Sequence, residues 1–71
     1  MKHSRQIDEF ELEVTKEDSN VFRVDLFEGN LCAASRTINF GTLICGEEVF
    51  ESLLWDSELI QELMDEGRAT L

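Results

Sequence analysis

Seventy-one residues are enough for one domain and not two, and a chain this short hides only about 60% of the surface its unfolded form exposes. With 42% hydrophobic residues, five Phe and one Trp, it is too apolar for a disordered chain. Sixteen Asp and Glu against six Lys and Arg leave a net charge of −10, which excludes the clustered cations that direct binding to nucleic acid or to an anionic membrane would need.

Residues 1–6 are polar and basic, no apolar stretch follows them, and no run approaches the ~20 residues of a membrane span. They are expected to be frayed, and the chain to be cytoplasmic. The ordered part opens at residues 9–15. There Phe10, Leu12 and Val14 alternate with Glu9, Glu11 and Glu13, the period-two pattern of a strand with one buried face and one wet, all-carboxylate face. Residues 16–20 (KEDSN) supply a turn. Residues 21–27 alternate again, with Phe22, Val24 and Leu26 inward and Arg23 and Asp25 outward. A hairpin follows, in which Arg23 would offset glutamates on the neighbouring strand.

Glu28, Gly29 and Asn30 form the next turn, Gly and Asn tolerating positive φ. Residues 31–40 read as a third strand burying Cys32, Ala34, Ile38 and Phe40, with Arg36 as the misfit on that face. After a break at Gly41, residues 42–45 are expected to continue as a short fourth strand that Gly46 ends. The sheet would thus occupy residues 7–45.

Residues 47–66 contain helix formers, no Gly or Pro, acids in the first turn and Gly67 at the stop position. At helical spacing Val49, Phe50, Leu53, Leu59, Ile60, Leu63 and Met64 share one side. Glu47, Glu48, Glu51, Glu58, Glu62, Asp65 and Glu66 share the other. Because that phase runs through Asp56 and Ser57, one continuous helix is expected, with a kink or break at Asp56 as the alternative. Trp55 falls within the acidic side and Asp56 within the apolar one. Asp56 and Arg36, both charged at positions patterned as buried, are expected to pair, since leaving either alone there is costly. The fold class is therefore α+β in a single domain of residues 1–71: a small antiparallel sheet of three to four strands with a C-terminal helix on one face. Phe10, Leu12, Val14, Phe22, Val24, Leu26, Ile38 and Phe40 should meet Val49, Phe50, Leu53, Ile60, Leu63 and Met64.

Chemistry is sparsely signalled. His3 stands alone, Cys32 and Cys45 are thirteen apart with no CxxC pair, and no Gly-rich phosphate loop is present. Neither cysteine has a base near it in sequence, and both sit among apolar neighbours, as reduced packing thiols do. No enzyme activity, metal or cofactor is expected. Binding is the better reading. Eight acids and no base occupy residues 47–66, although like charges one turn apart cost a helix a few tenths of a kcal/mol each. Together with Trp55, an aromatic type enriched at interface hot spots, Glu47, Glu51, Glu58, Glu62 and Asp65 form the candidate partner-binding surface. Glu9, Glu11 and Glu13 are the second choice. The partner such a surface suits is the basic, nucleic-acid-binding groove of a larger protein, where carboxylates stand in for phosphates. In general type, though without a shared motif, the chain is similar to phage-encoded inhibitors of host defence such as CRISPR-Cas or restriction. The competing expectation is a small interaction module or homodimer whose acidity serves solubility.

Overall fold

The computed structural model describes residues 2–41 and 47–70. Four strands, β1 (Lys2–Ile7), β2 (Phe10–Asp18), β3 (Val21–Glu28) and β4 (Leu31–Asn39), precede two helices, α1 (Glu48–Leu54) and α2 (Ser57–Thr70). The strands pair antiparallel in chain order. Tight turns join them, with Asp8 at φ 53 and Gly29 at φ 63, the left-handed region that Asp tolerates and Gly prefers. The α+β class is as the alternation implied.

Register carries the period-two pattern across the sheet. Leu12 opposes Leu26 and Val14 opposes Val24, so the inward residues of β2 and β3 form one apolar surface. Against it pack Phe50, Leu53 and Leu54 of α1 and Leu59, Ile60, Leu63 and Met64 of α2. Phe10, Phe22 and Phe50 are the largest fully buried side chains, each stabilising the fold by about 1.5–3 kcal/mol. Phe22 sits at the aromatic centre, edge-on to Phe50 at 5.3 Å and to Phe40 at 5.6 Å. Phe40, expected in the core, lies just past β4 and is 37% exposed; Ile38 and Val49 pack on the core's margin. No described helix covers the opposite face of the sheet.

Several expectations need correction. Residues 2–7 are not frayed; they form edge strand β1, paired with β2 from Lys2–Thr15 to Ile7–Phe10. Its inward positions are His3, Arg5 and Ile7, and a ring or guanidinium can bury its flat body while leaving a polar tip free, so the strand lacks an apolar signature. β1 is the fourth strand of the described sheet; residues 42–45, expected as a strand, and with them Cys45 and Gly46, lie outside the described residues. Glu9 belongs to the β1–β2 turn and not to a strand.

In β4 the alternation slips. Leu26 opposes Ala34 but Phe27 opposes Cys32, so Ala33 is an extra residue and a bulge forms. Ala33 and Ala34 are both buried, while Cys32, expected inside, is exposed together with Leu31. Small side chains there admit α2, which runs on through Gly67 to Thr70 and does not stop at it. A Cβ on Gly67 would stand 3.1 Å from the Cβ of Ala33, so glycine serves close helix–strand approach at this point.

The helical segment divides at Trp55 and Asp56, the alternative the sequence allowed. Trp55 leaves helical geometry at φ −117, ψ 11, and its N–H donates to the Glu51 carbonyl. Asp56 then caps α2, its Oδ1 accepting the Leu59 N–H at 3.1 Å while its carbonyl accepts the Ile60 N–H at 2.9 Å. Asp56 is exposed and does not meet Arg36. Arg36 instead spans to Glu62 (3.2 Å) and Glu66 (2.5 Å) on α2. Both charges escape burial, one by capping and one by reaching the rim of the helix.

Candidate interaction surface

Trp55 is 61% exposed, the most exposed large hydrophobic side chain among the described residues. Its position is set from below by Arg5 of β1. The guanidinium carbon lies 3.6 Å from the indole ring centroid, and Nη1 donates to the Leu54 carbonyl at 2.9 Å. One cation thus stacks on the ring and satisfies a C-terminal carbonyl of α1, where the helix dipole favours positive charge. His3, one inward position earlier, stacks on Phe50 with ring centroids 4.2 Å apart. These two contacts fasten α1 to the edge strand, and they leave the outer side of the indole open.

The acids expected around Trp55 are distributed between two helices. Glu47 precedes α1, its carbonyl accepting the Phe50 and Glu51 N–H groups, and Glu51 lies one turn on; both are exposed. Glu58 and Glu62 are exposed on α2, in a helix that starts afresh at Ser57, so the four do not form one continuous row. Asp65, also exposed, accepts from Gln61 Nε2 at 3.0 Å and has Arg68 at 3.7 Å. Glu62 and Glu66 share Arg36. The C-terminal part of the acidic surface is therefore partly neutralised by arginines. Its N-terminal part is not: Glu47, Glu48, Glu51 and Glu58 make no ion pair among the described residues.

The second-choice acids occupy a different surface. Glu11 and Glu13 lie half-buried on the uncovered sheet face, and Lys2 reaches Glu13 at 3.3 Å. That face is not the carboxylate wall its own strand implied, because β1 lays Lys2, Ser4 and Gln6 alongside it. Nearby, Asp25 is only 5% exposed, yet both its oxygens are satisfied, Oδ1 by the Ser35 hydroxyl at 2.7 Å and Oδ2 by Arg23 Nε at 2.9 Å. Arg23 also reaches Glu17 at 2.8 Å, a glutamate farther along β2 than those expected to meet it. The hydrogen bond to Asp25, then the charges of Asp25 and Glu17, raise the Arg23 pKa above its ordinary value. The network fixes Arg23 and leaves it no unshared charge.

Arg5 is the functional candidate that sequence reasoning missed. The available signal was weak: His3, Arg5 and Ile7 keep the period of two that Phe10, Leu12 and Val14 continue beyond the turn. Among the described residues no group of three or more His, Cys, Asp and Glu is placed to hold a metal, and no helix is long and apolar enough to cross a membrane. The fold and surface define an acidic α+β chain with one exposed, arginine-backed tryptophan. No family model, no curated protein and no solved structure matches it.

Proposed function

We propose that this protein is a non-catalytic acidic binding protein that occupies a basic, nucleic-acid-binding surface of a larger protein, as an inhibitor or nucleic-acid mimic. The observation that carries the reading is how the charges are spent. All six lysines and arginines are engaged: Lys2, Arg23, Arg36 and Arg68 with carboxylates, Arg5 with Trp55, and Lys16 over the Phe22 ring at 5.9 Å. Glu47, Glu48, Glu51 and Glu58 remain without a cation among the described residues, Glu47 at the cap of α1 and the others on the two helices that Trp55 joins. Unrelieved like charge stabilises no fold; it gains free energy against a positive surface. Trp55, already held by Arg5, loses little further freedom when a partner covers it, as an interface anchor requires.

The test begins with capture of the partner, followed by competition and salt titration on the purified pair. Occupation of a nucleic-acid groove predicts that an oligonucleotide competes with this protein and that affinity falls steeply as NaCl rises. Reversing Glu51 and Glu58 to Lys should slow association, while reversing Glu11 and Glu13 should leave it near the native rate. Salt-insensitive binding that an oligonucleotide does not compete would refute the proposal. Loss confined to the Glu11/Glu13 variant would refute the assignment to the helices.

A further inference from the structure

The two edges of the sheet are built differently. β1 carries Lys2, His3 and Arg5 in six residues, and charge on an edge discourages pairing with another chain. β4 carries a single charged residue in nine, Arg36, and that one is already held by Glu62 and Glu66. In a chain that is 31% charged, this edge is neutral, free of proline and regular beyond the bulge at Ala33.

Which backbone groups it offers follows from one bond. The Phe40 N–H donates inward to the Asn20 carbonyl at 3.0 Å. Successive residues of a strand direct their backbone groups to opposite edges. Ile38 and Arg36 therefore face β3, opposite Phe22 and Val24, while Ser35, Thr37 and Asn39 direct N–H and C=O away from the sheet. Their side chains are exposed, and among the described residues β4 is terminal in the strand order.

We propose that this edge pairs with β4 of a second copy, antiparallel and centred on Thr37, to form a two-fold dimer with a continuous sheet. In that register Thr37 meets Thr37 of the second copy, Ser35 meets Asn39, and Arg36 meets Ile38. The outward groups then make about six backbone hydrogen bonds, and no like charges stand directly opposite. A Thr–Thr pair is itself a favourable cross-strand neighbour. The contact is isologous and closes at two copies, because the remaining free edge of each is the charged β1. A basic partner strand suits this edge less well, since β4 itself carries no acid and its one charge is the cation Arg36.

The inference stands apart from the proposed function, and salt tells them apart. Two copies each carrying −10 repel, so added salt should strengthen the dimer, whereas it weakens attraction to a basic surface. The experiment is sedimentation equilibrium of the full chain at about 0.02 M and about 0.5 M NaCl, with amide hydrogen exchange at low and high protein concentration. A monomer–dimer equilibrium that tightens with salt is expected, with the Ser35, Thr37 and Asn39 amides slowing as dimer forms. Thr37→Pro should weaken the dimer on the order of a hundredfold, since its N–H is outward and its loss breaks no bond within the sheet. Thr37→Lys, placing like charges on the two-fold axis, should do the same even if the proline variant folds poorly. Ser4→Lys, on the opposite edge, should leave the dimer unchanged. A monomer under all conditions would overturn the proposal. So would a dimer indifferent to both Thr37 variants, or one in which those three amides stay fast.

Discussion

At the scale of single residues, Arg5 and Asp56 decide where the helical segment breaks. Arg5 takes the Leu54 carbonyl that a continuing helix would have used, and Asp56 takes the Leu59 N–H. Arg5→Ala loses a charge-assisted hydrogen bond and a cation–π contact and should destabilise the fold by about 2 kcal/mol in urea denaturation. Trp55→Ala should cost less than about 1 kcal/mol, because most of the indole is already in water. Against a captured partner the order should reverse, with Trp55→Ala costing ~2 kcal/mol or more, mainly through faster dissociation. Asp56→Ala removes a helix cap and should cost about 1 kcal/mol. Since Asp56 and Arg36 do not touch, a double-mutant cycle between them should be additive within about 0.5 kcal/mol. The expectation that they pair assumed a single helix burying both; the break exposes one and the helix rim accommodates the other.

At the scale of elements, the strand that looked dispensable ties the others together. β1 satisfies the outer edge of β2 and carries the two side chains that hold α1. Deleting residues 2–7 should abolish cooperative thermal unfolding, since stability in small domains is only about 5–15 kcal/mol and this deletion removes a full strand pairing. The α2–β4 contact makes a second element-scale prediction. Gly67→Ala gains helix propensity of up to ~1 kcal/mol but brings a methyl to 3.1 Å from Ala33, while Gly67→Leu should cost about 1–3 kcal/mol through overpacking. Pairing Gly67→Ala with Ala33→Gly should recover the propensity gain, a coupling that urea titration of the four variants would measure. β2 and β3 were legible because Phe10, Leu12 and Val14, and then Phe22, Val24 and Leu26, keep an apolar period of two on either side of a polar turn. β1 and the bulge were not: the first buries a ring and a guanidinium in place of aliphatic groups, and the second depends on what lies across from Ala33.

At the scale of the whole molecule, charge dominates. Sixteen acids against six bases leave repulsion that folding concentrates, so thermal stability should rise by several degrees as NaCl is raised from dilute to about 0.5 M. Calorimetry on dilute protein, where self-association is negligible, measures this directly; a flat response would mean that the ion pairs of Arg23 and Arg36 already offset the repulsion. Those pairs draw on acids from separate elements, Glu17 with Asp25 and Glu62 with Glu66. The charges of Glu62 and Asp65 are partly offset by Arg36 and Arg68, and the emphasis of the helical surface moves to Glu47, Glu48, Glu51 and Glu58.

The sequence by itself determined the α+β class, the inward faces of β2 and β3, the apolar sides of both helices, and a net charge of −10. Each follows from local periodicity or composition, which need no knowledge of what lies across space. Only the tertiary structure decided that residues 2–7 form an edge strand, that Cys32 faces out, that the helix is two, and which acids are left without a cation. Each of these depends on a residue distant in the chain: Phe50 for His3, Leu54 for Arg5, Leu26 and Gly67 for Ala33, and Glu62 and Glu66 for Arg36. A charged side chain can be neutralised, stacked or used as a cap, and its own neighbours in sequence do not say which.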